Sequence, residues 1–219
     1  MHEKYSQNVT TGRRPYRQTV RAEQTRLRWV ALVGAAATLI EQEGFHGLSL
    51  DVLARRAGVT RRTVYNRFGS KLGLLNAVMD DLAQRANASG FTEIAKRGDS
   101  SAAAIELLRA TCGLWSVNRP LHRRLVGLAA VDPDTASVLS EREARRRGPW
   151  LVVVSRLQAE DRLRDVSADS VLAAMLQLSS FPFFDGVAAE EGDLEPTVKL
   201  LCRLAGGVVA FDTDAGEIG

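Results

Sequence analysis

The stretch from Ser49 to Lys71 constrains the fold of this chain most, because it reads as two short helices joined by a tight turn. Ser49 can cap the first helix, since its hydroxyl can accept a hydrogen bond from a free backbone N–H of the first turn. Gly58 ends that helix, because the residue just past a helix end often adopts the left-handed conformation. Thr60 can cap the second helix. The pattern predicts either a helix-turn-helix unit or an ordinary helix pair of an all-α protein.

The second helix of this pair is apolar on one side only. Val64 and Phe68 form its buried side. The other positions carry side chains that a protein core does not need: Arg61, Arg62, Thr63, Tyr65, Asn66 and Arg67. A short helix with such an outward face suits the major groove of duplex DNA. The competing interpretation is that the arginines only solvate a helix face.

Several motifs of this region resemble the DNA-binding domain of the tetracycline-repressor (TetR) family. The resemblance covers about Thr25 to Leu82. It is carried by an alanine-rich helix ending in Ile40–Phe45, then by Leu48-Ser49-Leu50, Leu53-Ala54, Ala57-Gly58-Val59-Thr60, Thr63-Val64-Tyr65 and Phe68-Gly69-Ser70-Lys71. Capping, turn and apolar positions all match in register. One departure is Asn66, where many members carry histidine, although asparagine can still donate to a phosphate.

Eight residues are the predicted contacts with double-stranded DNA. Arg61, Arg62 and Thr63 are the predicted base readers, because arginine can bond guanine bidentately and a threonine methyl can contact thymine. The predicted phosphate contacts, which set register without reading sequence, are Ser49, Thr60, Tyr65, Asn66 and Lys71.

Charge is distributed unevenly along the 219 residues. Residues 1–88 hold 14 Lys and Arg against 7 Asp and Glu, a net charge of +7, whereas residues 89–219 have a net charge of −4. This asymmetry is expected when one end meets a polyanion, although chance and a basic tail would give the same balance. The polar and basic composition of residues 1–22 predicts a disordered arm, in which Pro15 is expected to break any helix. Arg13 and Arg14 could enter a minor groove, or the arm could be a solvated tail.

Apolar residues at helical spacing predict an all-α chain of about nine helices and no convincing strand. The expected organisation is an arm over 1–22, a helix-turn-helix DNA-binding domain over 23–70 and a helical effector-binding and dimerisation domain over 71–219. Gly148-Pro149 is expected to separate two helices, Thr135–Arg147 and Trp150–Ala159. The last two long helices are expected over Ser167–Phe181 and Glu195–Val209.

A run of arginines from Arg145 to Arg147 has two interpretations. It could be a nucleic-acid patch. However, Glu141 lies four residues before Arg145, and Glu143 lies four before Arg147, a spacing that favours ion pairs on a solvated helix face. We favour the solvated face.

A single recognition helix covers only a few base pairs, so specific binding predicts a symmetric homodimer with two copies one turn of DNA apart. The last two long helices are the predicted seam, because they carry small residues that permit close approach: Ala173, Ala174, Ser179, Ala205, Gly206 and Gly207. The alternative is that they are ordinary core helices.

The family resemblance also implies a repressor that a small-molecule effector releases from a palindromic operator. The expected pocket lies among the helices from Ser101 to Phe181, and its candidate lining residues are Trp115, Leu125, Trp150, Met175, Phe181 and Phe184. For each of these residues, a place in the simple core is favoured over a place in the pocket wall. Few charges occur among them, which favours an apolar or aromatic effector.

The sequence carries no nucleophile elbow, Gly-rich phosphate loop, HExxH motif or Cys–His cluster, so we expect neither an enzyme nor a cofactor. The three histidines are isolated, which argues against a metal site. No apolar run is long enough for a membrane span, and Cys112 and Cys202 show no paired spacing, so we expect a cytoplasmic protein. Three alternatives stay open: an activator, a structural DNA-binder without an effector, and an all-α enzyme with an appended helix-turn-helix.

Overall fold

The computed structural model describes residues 14–47, 49–87, 90–188 and 194–211. Over these ranges the chain is all-α, as predicted, with eleven helices instead of about nine. Extended pairing in the described part is limited to a single antiparallel bridge between Leu163 and Val209. The polar tail over 212–219 lies outside the described residues.

The helices are numbered in chain order. They are α1 (Arg14–Gly47), α2 (Leu50–Arg56), α3 (Arg61–Phe68), α4 (Lys71–Arg85), α5 (Phe91–Ile94), α6 (Ser100–Ser116), α7 (Arg119–Ala129), α8 (Pro133–Ala159), α9 (Ala168–Leu178), α10 (Phe181–Val187) and α11 (Leu194–Ala205). Helix α1 is interrupted at Gly44, whose φ of 71° is not helical.

Helix α1 begins earlier than the sequence indicates. The expected arm over 1–22 has its last nine residues in this helix, so the prediction that Pro15 breaks any helix is wrong. Proline is tolerated in the first turn, where its missing N–H has no helical acceptor to lose. Arg13 and the rest of the arm lie outside the described residues, as does the side chain of Arg14.

Helix α8 is a single helix of 27 residues that passes through Pro149, so the expected break at Gly148-Pro149 is wrong. A proline inside a helix removes one hydrogen bond and opposes regular geometry. Here Trp150, Val153 and Leu157 continue the buried side of the helix beyond the proline. Burial of these side chains outweighs the local cost.

The region after α9 also differs from the prediction. The helix expected over Ser167–Phe181 does not reach Phe181, because the Phe181-Pro182-Phe183-Phe184 motif starts α10, with Ser180 as the N-cap. Helix α9 is shorter than expected and ends at Leu178. Helix α11 likewise ends at Ala205, and the following turn leads into the bridge at Val209.

Two clusters of buried side chains form the interior. The first joins α1–α4 and also takes Leu121 and Leu125 from α7 and Val138 from α8. The second joins α6 and the last half of α8 to α9, α10 and α11. Because α7 and α8 contribute to the first cluster, the N-terminal helices are packed directly on the C-terminal part.

Cys112 and Cys202 are free and fully buried in the second cluster, as expected for small core residues. Burial raises the pKa of the Cys112 thiol to about 12 and that of Cys202 to about 11. Both thiols are therefore protonated at neutral pH.

Across the described ranges, no single helix has the length and apolar composition needed to cross a membrane. Helices α9 and α10, which are bent by 58° relative to each other, meet those two criteria only as a pair. Their apolar side chains Val171, Met175 and Phe184 are buried in the second cluster.

Candidate DNA interface and neighbouring cavity

Helices α2 and α3 and the turn between them form the helix-turn-helix unit. The Ser49 hydroxyl accepts a hydrogen bond from the backbone N–H of Val52 at 3.1 Å and caps α2. Gly58 has a φ of +63°, in the left-handed region that favours glycine. The backbone N–H of Val59 then donates to the carbonyl of Ala54 at 3.0 Å. The predicted caps and turn are confirmed.

The start of α3 is fixed by two threonines. The Thr60 hydroxyl accepts from the backbone N–H of Thr63 at 3.1 Å, and the two hydroxyl oxygens lie 2.8 Å apart. Thr60 therefore serves as the N-cap, as predicted. Part of the hydrogen-bonding capacity of both hydroxyls is used inside the protein, although both residues are exposed.

The two sides of α3 differ as the sequence predicts. Val64 and Phe68 are buried. The outward face is exposed to solvent, including Arg61, Arg62, Thr63, Tyr65 and Asn66. Tyr65 is 57% exposed, although a tyrosine ring is largely apolar. The C-terminal helices leave this face uncovered, so it is available to a partner.

The two arginines at the start of α3 have different surroundings. The Arg61 guanidinium lies 3.0 Å from a carboxylate oxygen of Asp51 on α2, although its side chain is 73% exposed. Among the described residues, Arg62 has neither a hydrogen bond nor an ion pair from the protein. Of the two, Arg62 therefore has its donors available without breaking a protein contact.

One structural contact of α3 was not predicted. The Trp29 ring of α1 stacks on Phe68, with 4.8 Å between ring centroids, and the Arg67 guanidinium lies over Trp29 at 4.5 Å. This cation–π contact fixes the end of α3 to α1. Trp29 is partly buried against the first cluster, whereas the neighbouring Val30 is 46% exposed.

Lys71, a predicted phosphate contact, opens α4 and is partly buried. Ser70 caps this helix through a 3.0 Å bond from the backbone N–H of Gly73. Burial lowers the pKa of Lys71, while the carboxylates of Asp132 and Asp134 act in the opposite direction. Lys71 therefore lies near the start of α8.

A cavity of about 1170 Å³ lies beside α4 and is lined by α4–α8 and the junction of α9 with α10. Three of the six predicted pocket residues line it: Trp115, Leu125 and Phe181. The other three, Trp150, Met175 and Phe184, are buried in the second cluster away from its wall. For those three, the alternative interpretation as simple core fits the structure.

The wall of the cavity carries more charge than the sequence indicated. Its charged lining residues are Asp80, Arg142, Glu143, Arg145 and Arg146. The expectation of a wall with few charges is therefore wrong. The error arose because apolar spacing identifies the inner side of a helix, whereas the charged residues of α8 at the cavity edge follow no apolar pattern.

Arg142 connects the cavity to α4. One guanidinium nitrogen donates to the carboxylate of Asp80 at 2.8 Å and to the backbone carbonyl and side-chain oxygen of Asn76 at 3.0 and 3.1 Å. Its Nε is buried and has no partner. A residue in the cavity wall thus holds the helix that follows the helix-turn-helix unit.

Arg146 is almost fully buried, so the predicted solvated arginine face is wrong at this position. It donates to the Leu176 carbonyl at 2.8 Å and to the Ser179 hydroxyl, and its Nε bonds Glu143 at 2.9 Å. Glu143 therefore pairs with Arg146 rather than with the expected Arg147. Within the run from Arg145 to Arg147, Arg146 thus connects α8 to the end of α9 inside the protein.

His122 is a buried histidine in the cavity wall, with only 3% of its surface exposed. Burial lowers its pKa to about 4, against which a hydrogen bond to the Leu114 backbone acts weakly. The Nε2 atom is buried and has no partner. The ring is therefore neutral at physiological pH, with one nitrogen unused.

We expect His122 to make the folded chain less stable as the pH falls from about 6.5 towards 4. The folded ring stays neutral in this window, while the unfolded ring, with an ordinary pKa of 6.5, takes up a proton. The unfolded state then binds more protons than the folded state. The contribution of His122 to the free energy of unfolding is therefore fully present above pH 6.5, and about 3 kcal/mol is lost in total as the pH falls to 4. Thermal unfolding at pH 7 and pH 4.5 should show a smaller decrease in His122→Phe, and an equal decrease would contradict the assignment.

The N-terminal helices match known regulators in sequence. Residues 32–78 match the family of bacterial regulatory proteins described as the tetR family. The helix-turn-helix-type transcriptional regulator BetI of Vibrio vulnificus is 35% identical over 60 residues, which are 27% of this chain and 30% of BetI. The regulator SrpR of Pseudomonas putida is 43% identical over 58 residues, 26% of each chain. The match spans less than a third of the length of these relatives.

Solved structures extend the similarity in fold over most of the chain. A TetR-family regulator from Rhodococcus sp. has a TM-score of 0.61 at 21% identity and covers 84% of this chain and 98% of its own. AibR, solved with isovaleryl coenzyme A and operator DNA, has a TM-score of 0.60 at 17% identity and covers 83% and 98%. A regulator from Saccharomonospora viridis, solved with choline, has a TM-score of 0.60 at 17% identity and covers 85% and 98%.

At these identities the solved structures establish the fold alone, while the match over residues 32–78 is one of sequence. The two similarities agree on one family, and they include the helix-turn-helix unit whose outward face is described above. The N-terminal helices therefore match the tetR family of bacterial regulatory proteins in sequence, and most of the chain has the fold of solved TetR-family regulators.

Proposed function

We propose that this chain is a transcriptional repressor that binds a palindromic operator as a homodimer and is released by a small molecule in the cavity beside α4. The observation that carries the proposal is the uncovered outward face of α3, where Arg62 and Tyr65 are exposed on a helix held by two caps. A helix of this size with exposed arginine donors fits the major groove. The contacts assigned to the eight predicted residues are part of this proposal.

The proposed dimer rests on the size of the recognition helix and on one apolar surface. Leu200 and Leu204 lie one turn apart on α11 and are exposed, and Ala173 of α9 is exposed as well. These side chains suit a seam formed by α9 and α11 of two copies. Ser179 and Ala205 are buried within their own chain, so this seam does not use those two of the predicted small residues.

The proposed release mechanism depends on Arg142. A ligand that binds the cavity more tightly in one arrangement of α4 than in another would shift the population of that arrangement. Arg142 is placed for this role because it lines the cavity and bonds Asn76 and Asp80 of α4. AibR and the regulator from Saccharomonospora viridis, which share the fold, were solved with small molecules, and this supports an effector site here.

A gel shift tests the proposal. The probe is the promoter region beside the chain's own gene, with and without a small-molecule extract of the source cells. We expect a retarded band that the extract reduces. Absence of a band on any promoter fragment would reject the DNA-binding function. A band that no extract affects would favour a structural DNA-binder, and increased transcription of the bound promoter would favour an activator.

Arg142→Met is expected to leave the affinity for DNA within about twofold of the parent while the band becomes resistant to the extract. The substitution keeps a long unbranched stem but removes the guanidinium and its bonds to α4. Arg145→Met is the matched control, because Arg145 also lines the cavity on α8 but has no ion pair or hydrogen bond to α4 among the described residues. Equal release of parent and Arg142→Met would show that this tie does not carry the signal.

A further inference from the structure

Three rings meet in the wall of the cavity. Trp115 lies edge-on to His122 with 5.0 Å between centroids and edge-on to Phe181 at 5.7 Å, and His122 and Phe181 are 5.2 Å apart. The indole N–H of Trp115 donates to the backbone carbonyl of Ser179 at 2.9 Å. The polar atom of the indole is therefore satisfied, and its ring offers the cavity an apolar surface.

His122 adds one unsatisfied polar atom to this apolar surface. Its bond to the backbone at Leu114 places the ring proton on Nδ1, because Nε2 has no partner. A neutral imidazole nitrogen without a proton is a hydrogen-bond acceptor. Buried polar atoms are nearly always hydrogen-bonded, and one left unpaired is costly. Nε2 therefore needs a hydrogen-bond donor, and none of the described residues supplies one.

We propose that the cavity binds an uncharged ring-bearing alcohol or phenol whose hydroxyl donates to Nε2 of His122 and whose ring packs on Trp115 and Phe181. The inference rests on the proposed function, in which this cavity is the effector site. A carboxylate is disfavoured at this position. The imidazole is neutral and its N–H is already bonded to the backbone, so it presents only the lone pair of Nε2, and a carboxylate has no proton to donate to it. An apolar compound without a hydroxyl would leave Nε2 unpaired.

Matched pairs of probes test the hydroxyl directly. Phenol, 2-naphthol and 4-phenylphenol are each compared with their methyl ethers by isothermal titration calorimetry on the full chain without DNA. The ether keeps the ring and the oxygen but cannot donate. We expect at least one phenol to bind roughly tenfold more tightly than its ether, the factor typical of one buried hydrogen bond. Equal affinity within every pair, or no binding by any phenol up to its solubility limit, would overturn the inference.

His122→Phe identifies the acceptor. It keeps an aromatic ring between Trp115 and Phe181 but removes Nε2, so the phenol and its ether should bind this variant equally. Phe183→Leu is the control, because Phe183 lines the same cavity and the change should weaken both members of a pair together. A tenfold preference that persists in a folded His122→Phe, checked by its circular dichroism, would also overturn the inference. The parent comparison stands even if this variant fails to fold.

These binding measurements are independent of the proposed function. If a phenol binds through His122 but does not reduce the gel-shift band, the proposed ligand class is supported and the proposed release from DNA is rejected. If the extract reduces the band while no phenol binds, the proposed release by a small molecule is supported and the proposed ligand class is rejected.

Discussion

Replacing Gly73 with alanine is expected to destabilise the folded chain by roughly 3 kcal/mol, the upper end of the usual cost of overpacking. Gly73 lies in the first turn of α4, where the chain has just turned back after α3. A Cβ atom there would lie only 2.0 Å from the backbone carbonyl oxygen of Phe68. Because the neighbour is backbone, the clash can be relieved only by moving α3 relative to α4. The measurement is the free energy of unfolding in urea.

Gly127→Ala is the matched control for this prediction. Gly127 is an exposed position inside α7, and a Cβ atom there would meet nothing within 4 Å. Alanine should therefore stabilise the chain by about 0.5–1 kcal/mol, because glycine has the greater entropy cost in a helix. A Gly73→Ala variant as stable as the parent, with unchanged DNA binding, would contradict the close approach of α4 to Phe68.

The helix-turn-helix unit could be predicted from sequence because the signals that form it are local. Ser49, Thr60 and Ser70 each accept a bond from an N–H three residues later, so a cap is visible in four consecutive residues. Gly58 and Gly69 both have positive φ, which glycine adopts without strain. Val64 and Phe68 are one turn apart and buried on the same side. No distant residue is needed to recognise these features.

Features that depend on distant parts of the chain could not be predicted. Pro149 looks like a break in sequence, and only the burial of Trp150 and Val153 against other helices explains why α8 continues. The stack of Trp29 on Phe68 joins residues far apart in sequence. Apolar spacing shows which side of a helix is inward, but not whether a void lies there. It therefore predicted both Trp115 and Met175 as lining residues, although of these two only Trp115 lines the cavity.

Arg62→Ala is expected to lower the preference for operator over unrelated DNA by roughly tenfold to a hundredfold, the discrimination typical of one bidentate arginine–base contact. Arg62 is exposed at the start of α3, and no described residue occupies its donors. Arg61 is bonded to Asp51, so it would have to leave that carboxylate to reach a base, and Arg61→Ala should have the smaller effect. Operator fragments selected from random duplexes by the parent protein provide the probe.

Two further variants separate base reading from simple loss of charge. Lys71→Gln, at a proposed phosphate contact, should weaken operator and unrelated DNA by the same factor, because phosphate contacts carry no sequence information. Arg97→Ala removes one exposed positive charge from the segment between α5 and α6 and should change neither affinity. All affinities are compared at one salt concentration, since the electrostatic part depends on it. If Arg62→Ala kept the parental preference while binding both duplexes more weakly, Arg62 would be a phosphate contact, and sequence reading would lie with Arg61 or Thr63.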